Sequence, residues 1–374
     1  MPGLLARFVL SKRRAVLALL AIAGTAFMAP SAFAARPDDP VVQQSAPAPQ
    51  PAPRRVQPVP QGVPPAKASA VQPAADLVKG RAERAKRISA VKSWGYQLVG
   101  LSVEDAKLSP YDLLVVDAMG GLALDRPFLP EEIEQLKRKP DGSRRLVVSY
   151  LSIGEAEDYR PDYFTAEYMT EDAPEWLGPE NQKWKANRTV NFCLEGWQRT
   201  VLGDDQGRSV YNSIDPSPVY RLLELGFDGV YLDRVDAYND IKKDCPDSEA
   251  KMVAFVARLA AHVRKQDPAF LVIMQNAEEL ARHKPLIEAI DAVAKEDLFY
   301  GADHGQKLNA DAAIKAALRH LKVFKDAGKP VLVVDYVVDA SAKADLKRRV
   351  QEQGFIPYIG PRDLGRLWLP GRDF

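Results

Sequence analysis

The chain has 374 residues, with 51 Lys and Arg against 50 Asp and Glu, so no charge surplus points to nucleic acid. Its four histidines, His262, His283, His304 and His320, include no His-Glu-x-x-His pair, which gives little support to a zinc centre. No Gly-x-Ser-x-Gly elbow and no Walker loop are present, which argues against serine-hydrolase and nucleotide chemistry.

The N-terminus reads as a targeting segment. Arg7, Lys12, Arg13 and Arg14 form a basic region, an apolar run follows from Ala15 to Met28, and Ser31-Ala32-Phe33-Ala34 offers small residues for cleavage. This is the three-part pattern of a secretory signal peptide, and its apolar run is shorter than the ~20 residues of a spanning helix. Residues 1–34 are therefore expected to be removed, leaving a secreted or periplasmic protein with no integral membrane span. Residues 35–78 read as a linker: 11 of the chain's 29 prolines lie between Ala35 and Ala75, mixed with Ala and Gln. Such a stretch buries too little to offset the entropy of ordering and should be a disordered spacer. Residues 79–374 are then one folded domain, expected to be monomeric.

Eight short apolar runs follow in that domain: Tyr96–Val99, Leu113–Asp117, Leu146–Leu151, Gly229–Asp233, Leu271–Gln275, Ala292–Glu296, Val331–Asp335 and Phe355–Ile359. Nearly continuous apolar strands mean burial on both faces, as in a parallel sheet. Helical spacing lies between them, with Met252, Phe255, Val256, Leu259 and Val263 on one face and Ile314, Leu318, Leu321 and Phe324 on another. Gly226, Gly328 and Gly354 stand where helices should end. Eight strands, and no Gly-x-Gly-x-x-Gly after the first, favour an α/β fold of the (β/α)8 TIM-barrel type over a doubly wound sheet. The connection from Leu151 to Gly229 is long. It predicts an insertion over the active face, with a small strand of its own at Thr189–Cys193; the alternative is that this run is itself a barrel strand.

In such a barrel, chemistry sits at the carboxyl ends of the strands. There the chain places Asp117, Tyr150, Glu155, Asp233, Asp236, Tyr238, Gln275, Asn276, Glu278, Glu296, Asp335 and Tyr336. One strand-end carboxylate is ordinarily a helix cap. At least five ends supplying them together raise one another's pKa and suggest use, either in splitting a glycosidic bond or in holding a hard cation. Tyr150, Tyr238, Tyr300, Tyr336 and the insertion's Trp176, Trp184 and Trp197 are candidates to stack on sugar rings. Cys193 and Cys245 lie near the same end of the barrel, either bridged or as two buried thiols.

Three blocks then carry a resemblance: Ser149-Tyr150-Leu151-Ser152-Ile153-Gly154-Glu155-Ala156-Glu157, Phe227-Asp228-Gly229-Val230-Tyr231-Leu232-Asp233-Arg234-Val235-Asp236-Ala237-Tyr238, and Gln275-Asn276-Ala277-Glu278-Glu279-Leu280. In this order they resemble glycoside hydrolase family 114, the endo-α-1,4-polygalactosaminidases and their relatives. The resemblance implies a barrel, no organic cofactor, and hydrolysis of an α-1,4-linked galactosamine or N-acetylgalactosamine polymer. It implies a catalytic pair at the ends of the fourth and sixth barrel strands, here Asp233 as nucleophile and Glu296 as acid/base, with Glu278 the rival for the second role. Asp117, Glu155 and Asp236 would then bind a cationic amino sugar, with Tyr150, Tyr238, Gln275, Asn276, Asp335 and Tyr336 beside them. Two other readings stay open: a carbohydrate-binding barrel without turnover, and a metal-dependent hydrolase using the carboxylate rim.

Overall fold

The computed structural model describes residues 74–119, 126–157, 173–182, 184–210, 215–302 and 305–374. The expected signal peptide and nearly all of the expected linker lie outside the described residues. Helix α1 (Ala74–Ser89) opens the description, ahead of the domain boundary expected at residue 79. Strands β1 (Trp94–Tyr96), β2 (Leu113–Asp117) and β3 (Leu146–Ser152) follow, with α2 (Val103–Lys107) and α3 (Pro130–Leu136) between them. The long connection carries β4 (Glu155–Glu157), β5 (Leu177–Glu180), β6 (Asn187–Val190), α4 (Glu195–Leu202) and α5 (Pro218–Glu224). Then come β7 (Gly229–Asp233), α6 (Ser248–Val263), β8 (Leu271–Gln275), α7 (Lys284–Ala289), β9 (Ala292–Glu296), α8 (Asp311–Asp326), β10 (Val331–Asp335), α9 (Ala340–Glu352) and β11 (Ile356–Ile359).

Eight strands pair in parallel in the order β1-β2-β3-β7-β8-β9-β10-β11, a nearly closed (β/α)8 barrel. At the seam the Trp94 indole donates to the Ile356 carbonyl at 3.0 Å, bridging the first strand to the last. Trp94, Tyr96, Tyr231 and Tyr358 fill the interior there with ring centroids 5.2 to 6.3 Å apart, all but excluded from solvent. The apolar faces expected on α6 and α8 point inward, with Leu318 only partly covered. Gly226, Gly328 and Gly354 take φ of 81°, 75° and 66°, the left-handed cap that lets a helix close and a strand begin.

Two expected strands move by more than one residue. The first strand is Trp94–Tyr96 rather than Tyr96–Val99, because the backbone N–H groups of Leu98 and Val99 turn to the Leu364 carbonyl. The insertion strand is Asn187–Val190 rather than Thr189–Cys193, because the Asn191 side chain accepts the Cys193 N–H and ends the extended run. That strand is the centre of an antiparallel sheet, β4-β6-β5, separate from the barrel.

The amino end of the barrel is tied by buried ions. Asp291 accepts from Arg84 (3.0 Å), Arg264 (2.7 Å) and the Val272 N–H (2.8 Å), which fastens α1 across the floor. Asp228 does the same for the Val147 N–H, Arg87 and Lys137. Cys193 and Cys245 are joined by a disulfide, which staples the insertion to the segment after β7. The bond closes a separation of 52 residues, and such a crosslink contributes about 2–4 kcal/mol. The paired Cys193→Ser and Cys245→Ser exchange should lower the unfolding free energy by that amount, seen as a lower denaturant midpoint with the far-UV spectrum retained. An unchanged midpoint would mean that other contacts hold the insertion.

Candidate active site

The barrel mouth encloses a cavity of about 540 Å³. Strand alternation and strand order together decide what faces it. Asp233, Gln275 and Glu296 end three adjacent strands, β7, β8 and β9, with Gln275 between the two acids. The Gln275 amide nitrogen donates to Asp233 Oδ1 at 3.0 Å and to Glu296 Oε2 at 2.8 Å. The amide oxygen accepts from the hydroxyl of the fully buried Tyr231. Ionised carboxylates only accept, so the amide can stand in one orientation only. Two bonds to one nitrogen put the facing oxygens less than about 6 Å apart, below the ~6.5–9.5 Å spacing that admits a water between inverting pairs.

Each acid has further donors. Tyr150 gives its hydroxyl to Asp233 Oδ2 at 2.8 Å. Asn276 donates to Glu296 Oε2 at 3.3 Å, and Tyr336 gives its hydroxyl to Glu296 Oε1. Burial first, and the charge of Asp233 second, push the Glu296 carboxyl up to about 7, against the pull of the Tyr336 and Asn276 bonds. Burial and the Glu296 charge hold the Tyr336 phenol far above its ordinary value, so it stays an O–H. The Tyr336 ring lies under the Arg362 guanidinium at 4.4 Å, and Arg362 makes a two-pronged pair with Asp297 at 2.7 and 3.1 Å.

The insertion completes the mouth. Glu157, Trp184, Lys185 and Asn187 line the cavity with Asp117 and Asp236 from the barrel. Glu155 is only 2% exposed and holds Asn181 (2.6 Å), Asn187 (3.1 Å) and Arg234 (3.1 Å). It ties the insertion to the turn after β7, and Arg234 pairs onward with Asp236 and Asp240. Gly154 makes this approach possible, since a Cβ there would stand 2.4 Å from the Arg234 carbonyl oxygen.

Of the residues expected at the site, Asp117, Tyr150, Glu155, Asp233, Asp236, Gln275, Asn276, Glu296 and Tyr336 line the cavity. Three expected there do not. Asp335 is fully buried and accepts the backbone N–H groups of Leu298, Phe299 and Tyr300 at 2.8 to 2.9 Å, shaping the loop after β9. Glu278 is buried against Lys295 at 3.4 Å, and Tyr238 is packed into the turn after β7. Trp176 and Trp197 pack on each other at 4.9 Å, with the Trp197 indole on the Ile153 carbonyl, and Tyr300 bonds Asp345; only Trp184 of these aromatics lines the mouth. Sequence reasoning passed over Tyr96, Arg362 and Asp297 as site residues. The one signal available was that Asp297 adjoins Glu296 and that Arg362 follows the last strand.

A (β/α)8 barrel with facing carboxylates at the ends of its fourth and sixth strands has the layout that cleavage of a glycosidic bond uses. The chain belongs to glycoside-hydrolase family GH114, whose family model matches residues 74–370. It is 32% identical over 286 residues to an uncharacterized protein of Deinococcus radiodurans, covering 75% of this chain and 84% of that one. An uncharacterized protein of Methanocaldococcus jannaschii is 30% identical over 295 residues, covering 74% and 79%. Among solved structures, the glycoside hydrolase domain of PelA from Pseudomonas aeruginosa has the same fold, with a TM-score of 0.55 at 17% identity, covering 74% of this chain and 97% of that domain.

The raised Glu296 carboxyl fixes a sign for stability. A carboxyl that holds its proton more tightly when folded stabilises the fold below its ordinary pKa, and that contribution is lost as pH rises through the folded value. Wild-type stability, compared with Glu296→Gln, should therefore fall between pH 4.5 and about 7 and then level off, in urea unfolding across that range. A constant difference would show that the carboxyl is not perturbed.

Proposed function

We propose that this protein is an exported glycoside hydrolase that cleaves an α-linked amino-sugar polysaccharide, of the α-1,4-galactosaminan type, with retention of configuration. The observation that carries this reading is the single Gln275 amide held between Asp233 and Glu296. Facing oxygens held this close are nearer the ~5–5.5 Å of retaining pairs than the ~6.5–9.5 Å of inverting ones and suit direct attack by a carboxylate. Asp233 takes the nucleophile's role, since both of its oxygens accept donors and it needs no proton. Glu296 takes the acid/base role, since a carboxyl near neutrality is still protonated where Asp233 attacks. The many acids of the mouth, Asp117, Glu157, Asp236 and Asp297 among them, against Lys185, Arg234 and Arg362, suit a sugar carrying a free ammonium group.

The reaction begins with Asp233 attacking the anomeric carbon while Glu296 protonates the departing glycosidic oxygen. The glycosyl ester on Asp233 is then split by a water that Glu296, now ionised, deprotonates. Reducing-end release from partially deacetylated α-1,4-galactosaminan should be seen with the mature protein. Asp233→Asn and Glu296→Gln should each lower it by about 10²–10⁴-fold with folding intact. Activity surviving in Glu296→Gln but lost in Glu278→Gln would move the acid/base to the segment after β8. A separate check is the anomeric proton of the first-formed product, read by NMR before mutarotation. The α-anomer is expected, and a β-anomer would overturn the retaining reading.

A further inference from the structure

The two oxygens of Glu296 have different partners, and the partners differ in kind. Oε2 accepts from two amide nitrogens, Gln275 Nε2 at 2.8 Å and Asn276 Nδ2 at 3.3 Å. An amide N–H donates and cannot accept, so a proton on Oε2 would face two other protons. Neither amide is free to turn. Gln275 is held by the Tyr231 hydroxyl, and the Asn276 oxygen accepts the Glu296 backbone N–H at 3.1 Å and the Lys295 ammonium at 3.3 Å. Oε1 has one partner of the opposite character, the Tyr336 hydroxyl. A hydroxyl donates to a carboxylate and, by rotating about its C–O bond, accepts from a carboxylic acid.

We propose, resting on the hydrolase reading above, that Oε1 is the oxygen of Glu296 that carries and returns the catalytic proton, and that Tyr336 is the positioning residue that serves both of its protonation states. With Glu296 neutral, the Oε1–H bond breaks as a new O–H bond forms on the glycosidic oxygen. The electron pair of the breaking C–O bond goes to that oxygen, and Asp233 supplies the pair that forms the ester. Tyr336 then turns its own O–H to the newly charged Oε1. In the second half, water bonds to the anomeric carbon, its proton goes to Oε1, and the ester pair returns to Asp233. Tyr336 keeps its proton throughout, in keeping with its burial. Its ring is fixed by the Arg362 guanidinium above it and by the Arg362–Asp297 pair, so rotation is confined to the hydroxyl.

Tyr336→Phe preserves the ring and removes only the hydroxyl. The test compares kcat/KM, which reports the glycosylation half, for two aryl α-glycosides of a galactosamine oligosaccharide. One releases a dinitrophenol, which needs little protonation, and the other plain phenol, which needs it. Tyr336→Phe should lose about tenfold or more with the phenyl glycoside and threefold or less with the dinitrophenyl glycoside. Gln275→Met, which also strips a donor from Asp233, should slow both alike. Equal losses for Tyr336→Phe, or a leaving-group-selective loss for Gln275→Met, would overturn the proposal. A readout independent of turnover is the ¹³C-carboxyl titration of Glu296. Its midpoint should rise in Tyr336→Phe, because a donor to the charged form is gone, and an unmoved midpoint would count against the proposal. Wild-type protein that cleaves neither glycoside would defeat the hydrolase reading, while the titration would still decide whether Tyr336 governs the Glu296 proton.

Discussion

Two carboxylates that face each other across a few ångströms repel, and the site depends on how that repulsion is contained. The Gln275 amide stands between them and gives one N–H to each. Parallel strands are spaced ~4.8 Å apart, so groups ending alternate strands start nearly 10 Å apart and must lean together over the strand between them. Here the strand between is β8, and its last residue carries the bridge. The barrel order β7-β8-β9 is thus what converts three strand ends into one constellation. Tyr231, one strand away and inside the barrel, fixes the amide from below. A leucine at position 275 would leave the same two acids with nothing between them.

The chain leaves all three of these strands in the same way. Arg234, Asn276 and Asp297 take φ of 58°, 59° and 49° immediately after Asp233, Gln275 and Glu296. Left-handed backbone costs a non-glycine residue roughly 1–2 kcal/mol, and Ala277 at 55° adds a fourth. Each turn is held by bonds to its own segment or to a neighbouring one. Arg234 reaches Glu155, Asp236 and Asp240; Asn276 bonds the Glu296 backbone; Asp297 is gripped by Arg362. The strained rim and the charged clamps are therefore one device. The turns keep strand-terminal side chains at the mouth instead of letting them follow the chain outward, and the clamps hold the turns.

The barrel was legible because its signals are local and repeated. Continuous apolar runs and helix-ending glycines recur, and each means the same thing wherever it stands. The site was legible only in part, because a strand-end carboxylate reads the same whichever way it faces. Asp233 and Asp335 both end apolar strands of the same length, yet one opens on the cavity and the other turns in to cap three N–H groups. Glu278 sits in a motif that carries the resemblance, but Lys295 draws it away from the mouth. Arg362 was invisible for the opposite reason. It lies beyond the last strand in an undistinguished segment, and only closure of the barrel brings it to Asp297 and Tyr336.

The two ends of the barrel treat charge in opposite ways, and the contrast explains why the mouth can hold what it holds. At the floor, each buried acid is matched: Asp291 meets two arginines and a backbone N–H, and Asp228 meets an arginine, a lysine and another. A buried acid so surrounded braces the strands it touches. At the mouth, Asp233 and Glu296 are given hydroxyl and amide donors in place of cations, while Arg234 and Arg362 pair with the acids around them. Neutral donors orient a carboxylate without lowering its pKa as far as a guanidinium would, because they add no net charge. Arg362 comes near Glu296 but is spent on Asp297. That leaves the Glu296 carboxyl raised to about 7 by burial and by the charge of Asp233, the kind of environment that suits a general acid.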